Sequence, residues 1–275
     1  DLNFGGNNYR NMIPQNRSLT WWGDQLVRLS ADTCWAVNVA NGKEKVLFTR
    51  EKLNKRAGLT GEGQGINSMT RISFPDADKP LLLATNKDER MLVNFKTGKV
   101  EWRQSRCSDA QAQEWNDKSR AVAYVADDNL FVTDAAGNTR QVTTDGSREL
   151  VYGQSVHRNE FGIEGGLFWN QQGTRLAYYR MDQSMVTDYP LVDVPELDDS
   201  SRVIARLAPE KYPMAGQTSH LVWVGVLDVA TGDTVYLKAG DPTDRYFSNI
   251  SWNPDGNIVY MMEGNRDQNE VELVA

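Results

Sequence analysis

Short apolar runs set off by polar corners recur along this chain. An aromatic followed by a polar turn opens four of them: Ser73-Phe74-Pro75-Asp76, Glu114-Trp115-Asn116-Asp117, Phe168-Trp169-Asn170-Gln171-Gln172-Gly173 and Ser251-Trp252-Asn253-Pro254-Asp255-Gly256. Each corner leads into an apolar run: Leu81–Ala84, Ala121–Tyr124, Leu176–Tyr179 and Ile258–Met261. Runs of this length bounded by turn residues predict strands. A second run follows and ends in a tight turn, as in Met91–Gly98, Leu130–Gly137, Val224–Gly232 and Trp35–Gly42. The closing glycine supplies the positive φ that a hairpin turn demands. A third strand comes next, as at Lys45–Phe48 and Thr234–Leu237.

Strand, turn, strand, turn, strand at a period of about 40 to 45 residues is the pattern of a β-propeller blade. A β-sandwich also yields many short strands, but the aromatic corner recurs here in one register, which favours the propeller. About five blades fit this length. The expectation is therefore an all-β chain, one propeller domain over residues 1–275, with any helix confined to His157–Glu164. Two segments break the period. One runs from about 147 to 165. The other runs from about 182 to 219 and carries Pro190, Pro195, Pro209, Pro213 and the acidic run Glu196-Leu197-Asp198-Asp199. Inserts of this size exceed the usual connection and often carry function; the second also reads as a solvated excursion at the rim.

Composition narrows the chemistry. The chain has 275 residues and a net charge of −7, which argues against a nucleic-acid binder with its basic stripe. The longest apolar stretch, Leu221–Leu227, is interrupted by Gly225, far short of the roughly 20 residues that span a bilayer. Two cysteines exclude a disulfide scaffold, and Cys34 and Cys107 are each expected as a free, buried thiol. The chain opens on Asp1 with no targeting segment visible, and is expected to be a mature or recombinant fragment. The two histidines, His157 and His220, have no Cys or carboxylate at ligand spacing, so they are expected as plain loop or strand residues. No metal and no cofactor is expected. Gly153-Gln154-Ser155-Val156-His157 lacks the last glycine and the helix of a nucleophile elbow, and reads as coincidence. Gly61-Glu62-Gly63-Gln64-Gly65 lacks the Lys-Ser/Thr of a phosphate loop and reads as a turn. No catalytic residue is expected in the chain.

Five stretches occur in an order that resembles a known family. They are Leu19–Arg28, Ala123-Tyr124 through Asn129–Val132, the Glu-containing insert at His157-Arg158-Asn159-Glu160-Phe161, Phe168–Asp182, and Lys211-Tyr212-Pro213-Met214-Ala215-Gly216. Together they resemble the N-terminal propeller region of the dipeptidyl peptidase IV family, the prolyl oligopeptidase-like serine peptidases. The resemblance implies an eight-bladed propeller joined to a C-terminal α/β-hydrolase domain that carries the triad. It implies that this chain is the non-catalytic part, gating access and holding the free amino end of peptide substrates. It implies a periplasmic or extracellular protein, with a homodimer as a further partner. In the family, two adjacent glutamates on a short helical arm bind the substrate ammonium. Here Glu160 keeps the acidic role, Asn159 offers one acceptor, and Arg158 has the wrong sign. Charge-assisted hydrogen bonds to an ammonium are the strong kind.

Two other readings stay open. One is a stand-alone propeller used as a binding or scaffold module. The other is a propeller glycosidase, which needs paired carboxylates; on a helical arm Glu160 and Glu164 would share a face at i, i+4.

Overall fold

The computed structural model describes residues 18–196 and 203–275; Leu197, Asp198 and Asp199 of the acidic run lie outside them. The described residues are mostly β-sheet with little helix, and nearly all strand pairing is antiparallel meander. The chain divides into two compact units, Asp1–Arg106 and Cys107–Ala275.

In the first unit, sheet I runs Ser18–Trp22, Gln25–Leu29, Thr33–Val37 and Glu44–Thr49, each strand beside the next. Sheet II runs Leu81–Thr85, Glu89–Asn94 and Val100–Ser105, and a bridge from Ser73 to Leu83 begins a further strand position. The aromatic corner at Phe74 joins a cluster in which Trp22 meets Phe95 edge-on at 4.9 Å and Phe48 stacks on it at 4.7 Å.

Between the sheets lies helix α1, Arg50–Ala57, which the hydrophobic pattern did not announce. It corrects the expectation that helix is confined to residues 157–164. Its signals are local: Thr49 caps the Lys52 N–H, and Gly58 ends it at a φ of 68°. Only Leu53 is buried, so no apolar stripe with helical period arises.

In the second unit, sheet III runs Ala112–Trp115, Val122–Ala126, Asn129–Thr133 and Thr139–Gln141. Sheet IV is built on Arg175–Asp182, Leu221–Asp228 and Thr234–Tyr236. Sheet V runs Arg245–Trp252, Val259–Asn265 and Val271–Val274, with a bulge between Ser248 and Ser251. Alternation along Arg175–Asp182 divides the core: Leu176 and Tyr178 pack toward the Val125 and Leu130 cluster, while Ala177, Tyr179 and Met181 pack toward Phe247 and Met261.

The repeated Trp-Asn corner has a structural cause. Trp169 donates its indole N–H to Glu114 O at 3.1 Å, and Trp252 donates to Phe168 O at 2.9 Å. Asn116 Nδ2 donates to Asn170 O at 2.9 Å, and Asn170 Nδ2 to Gly256 O at 3.3 Å. The other end of each amide closes its own turn, as where Asn170 Oδ1 accepts from Thr174 and Arg175 N–H. Sheets III, IV and V are thereby stapled in sequence at one end.

The second insert leaves sheet IV as a narrow ribbon. Asp188–Tyr189 pairs with Glu210–Lys211, and Val192–Asp193 with Arg206–Leu207. The first insert leaves the same sheet at its other edge. Leu150–Tyr152 and Leu167–Trp169 both pair with Arg175–Asp182, one beside residues 180–182 and one beside residues 176–178. The chain between them loops out as an arm.

Candidate functional site

The neck of the arm closes on one residue. Gly153 N–H donates to Tyr179 O at 2.8 Å, and Tyr179 N–H donates to Gly166 O at 3.0 Å. Both neck positions require glycine. Gly153 sits at a φ of 60°, and a Cβ on Gly166 would overlap the carbonyl oxygen of Gln154.

Within the arm, His157–Gly162 forms a tight 3-10 turn rather than the helix expected there. His157, Arg158, Asn159 and Phe161 all have φ between 53° and 62°, and Glu160 is extended with ψ 155°. Glu160 and Glu164 therefore do not share a helical face, and the paired-carboxylate arrangement of the glycosidase reading does not form in this way. Left-handed backbone at four non-glycine residues costs free energy and persists only where surrounding contacts impose it.

Those contacts come from the buried members. Val156 and Ile163 belong to the core between sheets IV and V. His157, 2% exposed, is the polar anchor. Its Nε2 accepts the Phe247 N–H at 3.2 Å, and its Nδ1 lies 2.9 Å from His220 Nε2. The Tyr179 hydroxyl donates to Phe247 O at 2.7 Å. Burial, then His220, pushes the His157 pKa down to about 3. Burial, then Arg266 and Arg158, pushes His220 down to about 4. Both rings are therefore neutral near pH 7. Expected as plain loop or strand residues, the two histidines form one buried pair instead.

The exposed members project from this base. Phe161, 51% exposed, meets Tyr246 edge-on at 5.1 Å, and Tyr246 meets His157 at 4.9 Å. Beside Phe161 and Tyr246 is a cavity of about 460 Å³, with Met262 and Val271 as apolar wall and Asn249 and Asn265 among its amides. Glu160 is exposed, immediately before Phe161. Arg158 turns away to Glu210 of the ribbon at 2.9 Å and lies over the Tyr212 ring. The cation of wrong sign is thus already paired.

Ser155 Oγ lies 2.6 Å from the Asn159 amide and 2.7 Å from Ile163 O. A hydroxyl has one proton, and a carbonyl can only accept it. Asn159 Oδ1 is the amide atom that faces Ser155, so the single hydroxyl proton is shared between Oδ1 and the Ile163 carbonyl, and the second lone pair of Oδ1 remains as an acceptor. Ser155 is engaged within the arm and His157 with His220 and Phe247, so the elbow-like string at Gly153–His157 has no nucleophile–base contact. Among the described residues no group of three or more His, Cys, Asp or Glu is placed to hold a metal ion. Cys34 is a free buried thiol; Cys107 is free but only half-buried, against expectation.

The sequence drew attention to Glu160 and Asn159, and the structure puts both on the exposed turn. It gave no sign of Tyr179, Phe247 and His220, which hold that turn. His220 and Phe247 are 63 and 90 residues from His157, beyond any local pattern.

Comparison with known proteins bears on all of this. The profile of the family described as the dipeptidyl peptidase IV (DPP IV) N-terminal region matches residues 84–275. A "Probable dipeptidyl-aminopeptidase B" of Tuber melanosporum is 26% identical over 254 residues, covering 81% of this chain and 28% of its own. A protein of the same name from Coccidioides posadasii is 27% identical over 176 residues, covering 60% and 19%. Among solved structures, one assigned as a dipeptidyl aminopeptidase IV from Bacteroides ovatus is 42% identical, with a TM-score of 0.77 over 94% of this chain and 34% of that one. Porphyromonas gingivalis dipeptidyl peptidase 4, at 20% identity and a TM-score of 0.64, shares the fold. The chain spans about two fifths or less of the length of these relatives. Among the described residues no helix is long and apolar enough to cross a membrane.

Proposed function

Since the chain belongs to the family of dipeptidyl peptidase IV N-terminal regions, we propose that residues 1–275 are part of a β-propeller in a longer serine peptidase, contributing about five of its blades. In this reading a C-terminal α/β-hydrolase domain of the parent polypeptide supplies the catalytic groups. This chain gates the approach to them and binds the free amino end of peptide substrates. The names of the relatives support the activity, and extracytoplasmic location and self-association follow from the same reading.

The observation that carries the substrate role is the arm. It is a strained turn, anchored by buried groups at its base, that exposes Glu160 and Asn159 beside an aromatic pair. A carboxylate there pairs with an ammonium, and the neutral amide adds a hydrogen bond without adding charge. A charge-assisted hydrogen bond contributes about 1.5–3 kcal/mol, or one to two decades in affinity. In the full-length peptidase, Glu160→Gln is expected to raise KM about tenfold or more for substrates with a free amino end, while amino-blocked substrates are unaffected. Unchanged kcat/KM on free-amino substrates would remove Glu160 from the binding site.

A further inference from the structure

The hydrogen bonds around His157 fix where its protons sit. A backbone N–H can only donate, so His157 Nε2, facing the Phe247 N–H at 3.2 Å, is a bare lone pair. A neutral imidazole then carries its proton on Nδ1. That nitrogen is 2.9 Å from His220 Nε2, which must be the acceptor, so His220 also carries its proton on Nδ1. The two rings form a directed chain from Phe247 through His157 to His220, with one proton pattern that satisfies it.

The same chain closes on the neck of the arm. The Tyr179 backbone holds Gly153 and Gly166, its hydroxyl holds Phe247 O, and the Phe247 N–H holds His157. His157 is the first residue of the turn that bears Glu160. His220 stands where the ribbon returns to sheet IV, immediately before Leu221. The charged groups acting on this pair are Arg158 from the arm and Arg266 from the turn that follows Val259–Asn265, both acting on His220, and both disfavour a protonated ring. No carboxylate is among the influences that shift either ring.

We infer that His157 and His220 are positioning residues for substrate capture: a pair locked as Nδ1–H tautomers that sets the orientation of the turn carrying Glu160. The inference rests on Glu160 receiving the substrate amino end. Glutamine at position 220 places a carbonyl oxygen about where Nε2 stands and can still accept from His157. Asparagine is one methylene shorter, and leucine offers no acceptor.

Three readouts test this in the full-length peptidase. First, this region holds two histidines, so long-range ¹H–¹⁵N correlation of histidine-labelled protein, with His157→Asn and His220→Gln each deleting one signal to assign the pair among those of the parent chain, reads both tautomers. Two neutral Nδ1–H rings at pH 7 are expected, and an Nε2–H ring at His157 overturns the inference. Second, His220→Leu and His220→Asn are expected to raise KM for free-amino substrates about tenfold, roughly the worth of one hydrogen bond to a charged group. Here kcat should be nearly unchanged, His220→Gln should restore KM, and amino-blocked substrates should not respond. Third, adding His220→Asn to Glu160→Gln should cost nothing further, because the orientation of an absent carboxylate no longer matters. If Glu160→Gln is effective while His220→Asn leaves KM alone or adds fully to it, the positioning role is refuted. If Glu160→Gln is itself silent, the amino-end reading fails, and the positioning role with it.

Discussion

Acidification should destabilise this protein through its two histidines, in a window where little else titrates. In an unfolded chain a histidine has a pKa of about 6.5. In the folded protein His157 is held near 3 and His220 near 4. A folded pKa below the unfolded one means that the unfolded state takes up protons which the folded state refuses. Stability is therefore complete above about pH 6.5 and is lost as pH falls toward the folded values, at up to about 1.4 kcal/mol per pH unit for each ring. At pH 5 the loss comes to about 2 kcal/mol per ring, so about 4 kcal/mol if the rings act independently. That is a large share of the roughly 5–15 kcal/mol by which domains are stable. Because the chain has no other histidine, the signal belongs to this pair. The carboxylates held below their usual range by hydrogen bonds and cations, Asp76, Asp134, Asp188 and Asp241, lose their contribution only at lower pH. Urea unfolding followed by tryptophan fluorescence from pH 8 to 4.5 measures the slope. The wild type should lose stability steeply below pH 6.5, and a His157→Asn/His220→Gln double variant should be nearly flat down to pH 5. Equal slopes in the two proteins would refute the assignment of buried, neutral rings.

Two further outcomes follow from single positions. Gly166→Ala forces the arm's neck apart, because the new methyl meets backbone rather than a yielding side chain; a loss of about 1–3 kcal/mol is expected, read as a fall of several degrees in Tm. A thiol reagent near pH 8 should modify one of the two native cysteines. Cys107 is partly accessible, whereas Cys34 is 0% exposed and its thiol is pushed up to about 12 by burial, so Cys34 should react only on unfolding.

The sheets were legible because their signals are local. Leu81–Thr85, Val122–Ala126, Arg175–Asp182 and Val259–Asn265 lie where the runs after the aromatic corners placed them. Gly42, Gly98, Gly137 and Gly232 all close their turns at positive φ. Helix α1 escaped because eight residues with one buried leucine carry no periodic stripe. The arm was found as an insert but misread as helical, because its backbone is dictated by Tyr179, Phe247 and His220, which are remote in sequence. The charges on the arm were readable as composition, but not their disposition. That Arg158 is drawn off by Glu210, leaving Glu160 exposed, depends on a ribbon 52 residues away.

The staples between sheets III, IV and V have a consequence for how freely this region can vary. In each, the donor is a side chain, Trp or Asn, while the acceptor is a main-chain carbonyl at residue 114, 168, 170 or 256. A carbonyl is present whatever residue carries it, so the joints at 114 and 168 constrain only one partner; at 256 the acceptor must also stay glycine, because its φ is 70° and a Cβ would meet the Asn170 amide. Substitution at Glu114 or Phe168 leaves the acceptor in place, whereas substitution at Trp169 or Trp252 removes the donor. The same asymmetry suits growth by duplication: a copied sheet brings its own Trp-Asn donors and asks of its neighbour mainly a main-chain carbonyl at the matching position.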